Sequence, residues 1–308
     1  MQCFRRRVPW RVLVAGVPLL LFGCGSGEID PRGSGSGPGG TEVPGTGDPG
    51  TDGDGVPSNY QSPRSDKCKR VDLVIAVDNS GSMKEEMTAM RTTVFPAFAA
   101  ALRQVGGGIE DYRVAVIDAC PRPPTFHTRG KQGDCAFASG ESWMDSDSPA
   151  LAEEFACVGE IDSSDAKCSG ANDDEMPASA AAAAIEQAGA QGDNAGFLRD
   201  DALLVVVAIT DEDETPIPSA TADEVYQRLA AIKGDVRKMV LLGIGGSTAC
   251  DGAYGSADPA TKLRALTELF IAQQRGVWWD LCQGKLEDGL TAAMTVIEEA
   301  CDKLPTVM

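Results

Sequence analysis

The chain has 308 residues, 43% of them apolar, which suits one large α/β domain or two small ones with a buried core. Its formal net charge of −19 argues against nucleic-acid binding through phosphates and suits solubility, cations or a basic partner instead. With His127 as the single histidine, sites built from several imidazoles, such as His-rich zinc centres, have no support.

The N-terminus carries Arg5, Arg6 and Arg7, then an apolar run over residues 12–23 interrupted by Pro18. That run is too short to span a bilayer comfortably and suits the apolar part of a signal peptide. It ends Leu21-Phe22-Gly23-Cys24, which resembles the lipobox of bacterial lipoproteins. The resemblance implies a signal peptide over residues 1–23, cleavage before Cys24, and acyl chains on Cys24. It implies an exported, membrane-anchored lipoprotein of the cell envelope, and Gly25 in place of Asp points to the outer membrane or cell surface. Residues 24–65 are rich in Gly, Pro, Ser, Thr and Asp and read as a flexible linker. Asp48, Asp52 and Asp54 lie within it, but no bidentate Glu follows at EF-hand spacing.

From Cys68 the pattern changes, and residues 66–308 read as one domain. Residues 71–77 form a buried-strand run. Residues 83–104 read as a helix in which Pro96 marks a kink or break. A second strand covers residues 112–117. Residues 119–175 form an irregular, polar, Cys-containing insertion with a short helix at residues 149–156. Residues 177–190 read as an Ala-rich helix with Pro177 in its first turn. Residues 202–209 are uniformly apolar, so both faces of that strand are covered, as in a central parallel strand. A helix over residues 221–232 follows, opened by a Thr221/Glu224 capping box, with Val225, Leu229 and Ile232 on one face. A strand at residues 239–244, a helix at residues 259–274 with Asp258 as N-cap candidate, and a strand at residues 277–281 come next. The last helix covers residues 287–301, with Leu290, Met294, Ile297 and Cys301 on one stripe. This alternation specifies a doubly wound, mostly parallel α/β sheet of Rossmann-like type with helices on both faces.

Ligands of such sheets bind beyond the carboxyl ends of the strands, where strand order reverses. Two acidic groups fall at strand ends: Asp78, and the run Thr210-Asp211-Glu212-Asp213-Glu214. Asp78, Ser80 and Ser82 place three oxygen-bearing side chains at alternate positions of one turn, in which Gly81 permits a sharp bend. Hard divalent cations want several oxygen ligands. Two hydroxyls with few carboxylates leave an ion under-neutralised, so it seeks an acidic ligand from outside.

Asp78-Asn79-Ser80-Gly81-Ser82-Met83, following an apolar strand, resembles the Asp-x-Ser-x-Ser signature of von Willebrand factor A domains. The resemblance covers roughly residues 68–303. It implies a six-stranded sheet of order 3-2-1-4-5-6 and a metal-ion-dependent adhesion site at Asp78, Ser80 and Ser82. Asp211 then belongs to the third metal loop, often acting through water. The implied cofactor is a divalent cation, Mg²⁺ first, with Mn²⁺ or Ca²⁺ as alternatives. The implied partner is another protein or a matrix component, held through an acidic side chain. One feature departs from the family: its second loop supplies a Thr, and no Thr lies between Thr128 and Thr210 here. Ser169 can supply the hydroxyl, or Asp173, Asp174 or Glu175 a carboxylate. An added carboxylate tightens metal binding but weakens the pull on an acidic partner.

Beyond Cys3 and Cys24 an even set of cysteines remains, which in an exported chain favours disulfides. There is no Cys-x-x-Cys pair to suggest a zinc ribbon or a thioredoxin-like centre. Proximity of the chain ends in this fold suggests Cys68–Cys301. Positions after neighbouring strands suggest Cys250–Cys282. Cys157–Cys168 and Cys120–Cys135 then staple the insertion, although the pairings stay open.

Several features have plainer readings. Ser82 with Glu85 is also a capping-box pattern, which accounts for neither Asp78 nor Ser80. Residues 211–214 partly suit a solvated, helix-leading loop. Trp278 and Trp279 read as core packing, one on each face of an edge strand. His127 reads as a loop histidine with no paired Asp nearby. The chain is expected to be a binding module rather than an enzyme, since it shows no His–carboxylate pair, no Gly-x-Ser-x-Gly elbow and no Gly-rich phosphate loop. The alternatives are a structural or assembly protein of the envelope with a vestigial metal site, and a metal-dependent hydrolase at the same switch point.

Overall fold

The apolar runs form strands and the amphipathic segments between them form helices, in a computed structural model. It describes residues 69–304 except residues 103–108, 123, 162–174, 190, 216–218 and 253. The signal-peptide and linker readings, Cys24, Cys68, Cys168, Ser169, Asp173 and Asp174 lie outside the described residues. In chain order the elements are β1 (Arg70–Val77), α1 (Lys84–Ala89), a π-helical turn (Met90–Val94), α2 (Phe95–Leu102) and β2 (Asp111–Asp118). Then come the short strands β3 (Arg129–Gly130), β4 (Gly133–Asp134) and β5 (Met144–Asp145), α3 (Leu151–Val158) and α4 (Pro177–Glu186). The second half runs β6 (Leu203–Ile209), α5 (Ala222–Lys233), β7 (Met239–Gly245), β8 (Cys250–Gly252), β9 (Gly255–Ala257), α6 (Thr261–Ile271), β10 (Gly276–Asp280) and α7 (Leu286–Asp302).

The main sheet has six strands in the order β10-β7-β6-β1-β2-β5. Counted along the chain this is 3-2-1-4-5-6, the order expected of a von Willebrand factor A-like domain. All its pairings are parallel except that of β5, which lies antiparallel to β2. β5 falls inside the stretch read from sequence as irregular, because two residues carry no periodicity to recognise. Alternate residues of β1 serve two cores. Leu73, Ile75 and Val77 pack with α1, α2, α3 and α7, while Val74 and Ala76 pack with α4, α5 and α6. Trp279 joins the first cluster and Trp278 the second, one on each face of β10. Among the described residues no helix is long and apolar enough to cross a membrane.

Pro96 resolves into a local defect rather than a break. A proline in a helix interior lacks a donor and crowds the carbonyl four residues back. Here the turn before it widens to π geometry, with Phe95 N–H donating to Met90 O, and the helix continues as α2. The Thr221/Glu224 capping box forms at α5 as the sequence specifies. Asp258 does not cap α6. Its backbone N–H is drawn instead to Asp211 O (2.7 Å), and Asp213 Oδ1 accepts the Lys262 N–H at the start of α6 (2.9 Å).

Cys250 and Cys282 form a disulfide, joining the loop after β7 to the turn after β10. The expected Cys120–Cys135 and Cys157–Cys168 pairings are replaced by Cys135–Cys157. The reason is tertiary: Lys131 N–H donates to Glu160 O (2.9 Å), which lays the β3–β4 hairpin along α3 and brings Cys135 to Cys157. Cys120 and Cys301 are also disulfide-bonded.

At the amino end of the sheet, Asp72 is fully buried. It accepts the Arg199 backbone N–H (2.7 Å) and Arg199 Nε (2.8 Å), and Arg199 also pairs with Asp111. Burial pushes the Asp72 carboxyl up, and Arg199 opposes that. Removing one partner of a buried pair leaves an uncompensated charge. Arg199→Met is therefore expected to cost about 3–5 kcal/mol in urea unfolding. A loss under about 1 kcal/mol would show that the pair is not a structural tie.

Candidate functional site

β1 and β6 are adjacent, with Val77 opposite Ile209, so the loops that follow them emerge side by side. Asp78 N–H donates to Ile209 O (2.9 Å), which fixes the first residue past the strand. The Asp78 side chain is fully buried. Its Oδ1 accepts the Ser80 N–H (2.8 Å), closing the turn, and its Oδ2 accepts Thr210 Oγ1 (2.7 Å) from the neighbouring strand end. Burial pushes the Asp78 carboxyl up, and the two donors oppose that. Thr210 was not singled out in the sequence as a functional residue. The signal was a hydroxyl closing an otherwise apolar strand.

Ser80 Oγ and Ser82 Oγ are 2.8 Å apart, and Ser82 lies near enough to the Asp211 carboxyl to hold its pKa down. Asp211 is 3% exposed, its Oδ1 has no hydrogen-bond partner, and burial raises its pKa to about 6. Asp78, Ser80, Ser82 and Asp211 are thus brought together as the sequence suggested. The capping-box reading of Ser82 and Glu85 is not realised: α1 is capped at Met83 with no side-chain bond. Ser82 is spent on Ser80 instead. Gly81 is not needed for a sharp bend either. Its φ is not positive, and a Cβ there would meet nothing within 4 Å.

Glu175, the described member of the second loop, is tied to the third. Its N–H donates to Thr215 O (2.9 Å) and its Oε2 accepts Thr215 Oγ1 (3.0 Å). Burial and a hydrogen bond to Glu212, with Asp78 adding repulsion, raise the Glu175 pKa to about 8. Near neutral pH it is therefore a protonated donor to Glu212 and adds no full negative charge to the site. Asp213 serves α6, and burial raises the pKa of Glu214, at the edge of the loop, to about 7.

A residue missed in the sequence is Glu86. It lies on the inner face of α1, 1% exposed, with neither carboxylate oxygen hydrogen-bonded. Its pKa rises from 4.5 to about 7, through burial first and then the charges of Asp211, Glu85 and Asp78. The carboxyl abuts Gly255 (φ +131°), where a Cβ would come within 2.5 Å of Glu86 Oε1. The β8–β9 hairpin therefore covers Glu86 only because residue 255 has no side chain. Charge alone did not mark Glu86 in the sequence, since it reads as one of two exposed acids in a first helical turn.

His127 corrects another expectation. Its backbone N–H donates to Val116 O (2.8 Å), which folds the loop back along β2 and sets Nε2 3.1 Å from Asp118 Oδ2. The other Asp118 oxygen accepts the Cys120 N–H (2.9 Å). The chain therefore does contain a His–carboxylate pair, joined by tertiary folding rather than by sequence proximity, and it staples this loop.

The oxygen set fits a hard divalent cation in kind. It offers two hydroxyls, a buried carboxylate held by neutral donors, and a second carboxylate with an unsatisfied oxygen. Asp78, Ser80, Ser82 and Asp211 are the residues that can hold such an ion. Among the described residues no three His, Cys, Asp or Glu side chains group as metal ligands, so any site here depends on the hydroxyls.

No protein-family model matches the chain, and no curated protein matches it. Among solved structures, it is similar to proximal thread matrix protein 1 from the mussel byssus, at 13% identity and a TM-score of 0.42 over 74% of this chain and 48% of that one. The chain thus spans about half the length of that protein. It is also similar to the manganese-loaded Plasmodium vivax TRAP protein, at 12% identity and a TM-score of 0.36 over 76% and 74% of the two chains. The fold assignment here rests on the observed strand order and not on these similarities.

Glu86 yields a pH-dependent prediction. A carboxyl whose folded pKa exceeds its unfolded value favours folding most when protonated. Its contribution is complete below about 4.5 and is lost as pH rises through about 7. In metal-free protein, Glu86→Gln is expected to leave the melting temperature near its parent value at low pH. Above neutral pH it is expected to raise stability, by up to about 3 kcal/mol. Thermal melts across that range test this, and a variant destabilised at high pH would refute the assignment.

Proposed function

We propose that this chain is a binding module that holds a divalent cation at Asp78, Ser80, Ser82 and Asp211 and captures an acidic group of a partner protein or matrix component through it. The observation that supports the reading best is the junction of two strand-end loops in one hydrogen-bonded set. Ser80 Oγ lies 2.8 Å from Ser82 Oγ, beside an Asp211 whose Oδ1 is buried without a partner. A cation there satisfies Asp211 and takes half of its protein oxygens from neutral hydroxyls, which leaves coordination positions for an external carboxylate. Mg²⁺ is the preferred ion, with Mn²⁺ and Ca²⁺ as alternatives. In this reading the chain is not an enzyme.

The N-terminal pattern extends the proposal to location. Cleavage before Cys24 and acylation of that residue tether the domain through residues 24–65 to the cell envelope, on the outer membrane or cell surface. Loss of membrane association in Cys24→Ser supports the anchor, and retention in the membrane fraction refutes it.

Thermal melts of the protein in chelator, Mg²⁺, Mn²⁺ and Ca²⁺ test the metal site. An ion at a hundred times its dissociation constant stabilises by about 2.7 kcal/mol, a shift of several degrees. That shift is expected with Mg²⁺ or Mn²⁺ and is expected to vanish in Ser80→Ala and in Asp211→Asn. No shift with any of the three ions would favour an assembly protein with a vestigial site.

A further inference from the structure

Beside the candidate metal loop lies a cleft of about 300 Å³ whose lining includes Asn79, Ser80, Gly81, Lys84, Lys131 and Glu160. It shares Ser80 with the cation set, so a ligand atom held at that serine opens directly into the cleft. Gly81 leaves the shared rim clear, since a Cβ there would meet nothing within 4 Å. The opposite wall is supplied by the insertion, whose hairpin residue Lys131 is fixed by its backbone bond to Glu160 O (2.9 Å).

The charge in this cleft is opposite in sign to that of the neighbouring strand-end loops. Those loops carry Asp78, Asp211 and Glu212. The cleft carries two lysines and one carboxylate, Glu160. That carboxylate is already shared by Arg91 Nε (3.3 Å) and Lys131 Nζ (3.4 Å), so two cations face it. Lys84 makes no ion pair among the described residues, and the Asn79 amide nitrogen on the wall is buried without a partner. In a chain of net charge −19, cations gathered at the rim of an oxygen-lined site are a local exception. They make a second anion subsite a short distance from the first.

We infer that the partner is an acidic peptide segment bearing two carboxylates a few residues apart, one directed to the cation at Ser80 and Ser82 and the other entering this cleft between Lys84 and Lys131. The inference rests on the metal-site reading above and adds to it a specificity that the Asp-x-Ser-x-Ser turn alone does not supply. A single carboxylate satisfies the metal. The cleft selects among carboxylate ligands by their second charge.

The test uses the full chain with saturating Mn²⁺ and fluorescein-labelled acetylated peptides read by anisotropy. One peptide carries a single Asp in a Gly background, and the others add a Glu one, two or three residues after it. At least one diacidic peptide is expected to bind about three- to tenfold more tightly than the monoacidic one, the scale of one or two partly exposed ion pairs. The double variant Lys84→Gln/Lys131→Gln is expected to erase that gain while leaving monoacidic binding and the Mn²⁺-induced thermal shift unchanged. Equal binding of mono- and diacidic peptides, or a gain that survives in the double variant, overturns the cleft proposal and leaves the metal site standing. Failure of every peptide to bind while Mn²⁺ still shifts the melt also overturns it. Absence of the Mn²⁺ shift itself overturns the metal reading beneath it.

Discussion

Asp78 is a carboxylate removed from water at the end of a strand buried on both faces, and such a group is tolerated only where donors meet it. Three hydrogen bonds make this possible, and two of them depend on the pairing of β1 with β6. Ile209 O receives the Asp78 N–H, Thr210 donates to one carboxylate oxygen, and the Ser80 N–H donates to the other. Parallel adjacency of the first and fourth strands of the sheet is therefore the condition for the whole arrangement. It sets the turn that presents Ser80 and Ser82, and it brings Asp211 to the same place from the other strand.

The loops around that point form a graded electrostatic environment. Burial raises the pKa of Asp78, Asp211, Glu86 and Glu175, and the charges of Asp78, Asp211 and Glu212 add to it. Such a cluster stores repulsion that a proton or a cation relieves. Without a proton or cation, the ionised cluster opposes folding. The Cys250–Cys282 link joins two loops at this end of the sheet, and the β8–β9 hairpin that it anchors lies against Glu86. On the other side of Ser80, Lys84 and Lys131 give an incoming anion a second point of attachment.

Much of this was legible in the sequence because it is carried by local pattern. The apolar runs ending at Val77 and Ile209 located β1 and β6, and Asp78, Ser80, Ser82 and Asp211 were recognisable at their ends. Thr221 and Glu224 marked a helix start by a local rule that the fold leaves undisturbed. What escaped was carried by tertiary contact. β5 is only two residues long and owes its existence to β2. Cys135 reaches Cys157 because a hairpin lies on α3, and His127 reaches Asp118 because a loop doubles back along β2. The inward turn of Glu86 depends on a glycine far along the chain. Ser82 shows the converse, since a capping signal is set aside for a hydroxyl in the same turn.

The claim on which the account turns is that Ser80, Ser82 and Asp211 share one cation. Anomalous diffraction at the manganese absorption edge, from crystals of the protein soaked in Mn²⁺, tests it most directly. The account expects an anomalous peak in contact with the two serine hydroxyls and near the Asp211 carboxylate, absent from crystals of Ser80→Ala treated identically. A well-ordered site with no peak, or a peak confined to other carboxylates, would contradict it.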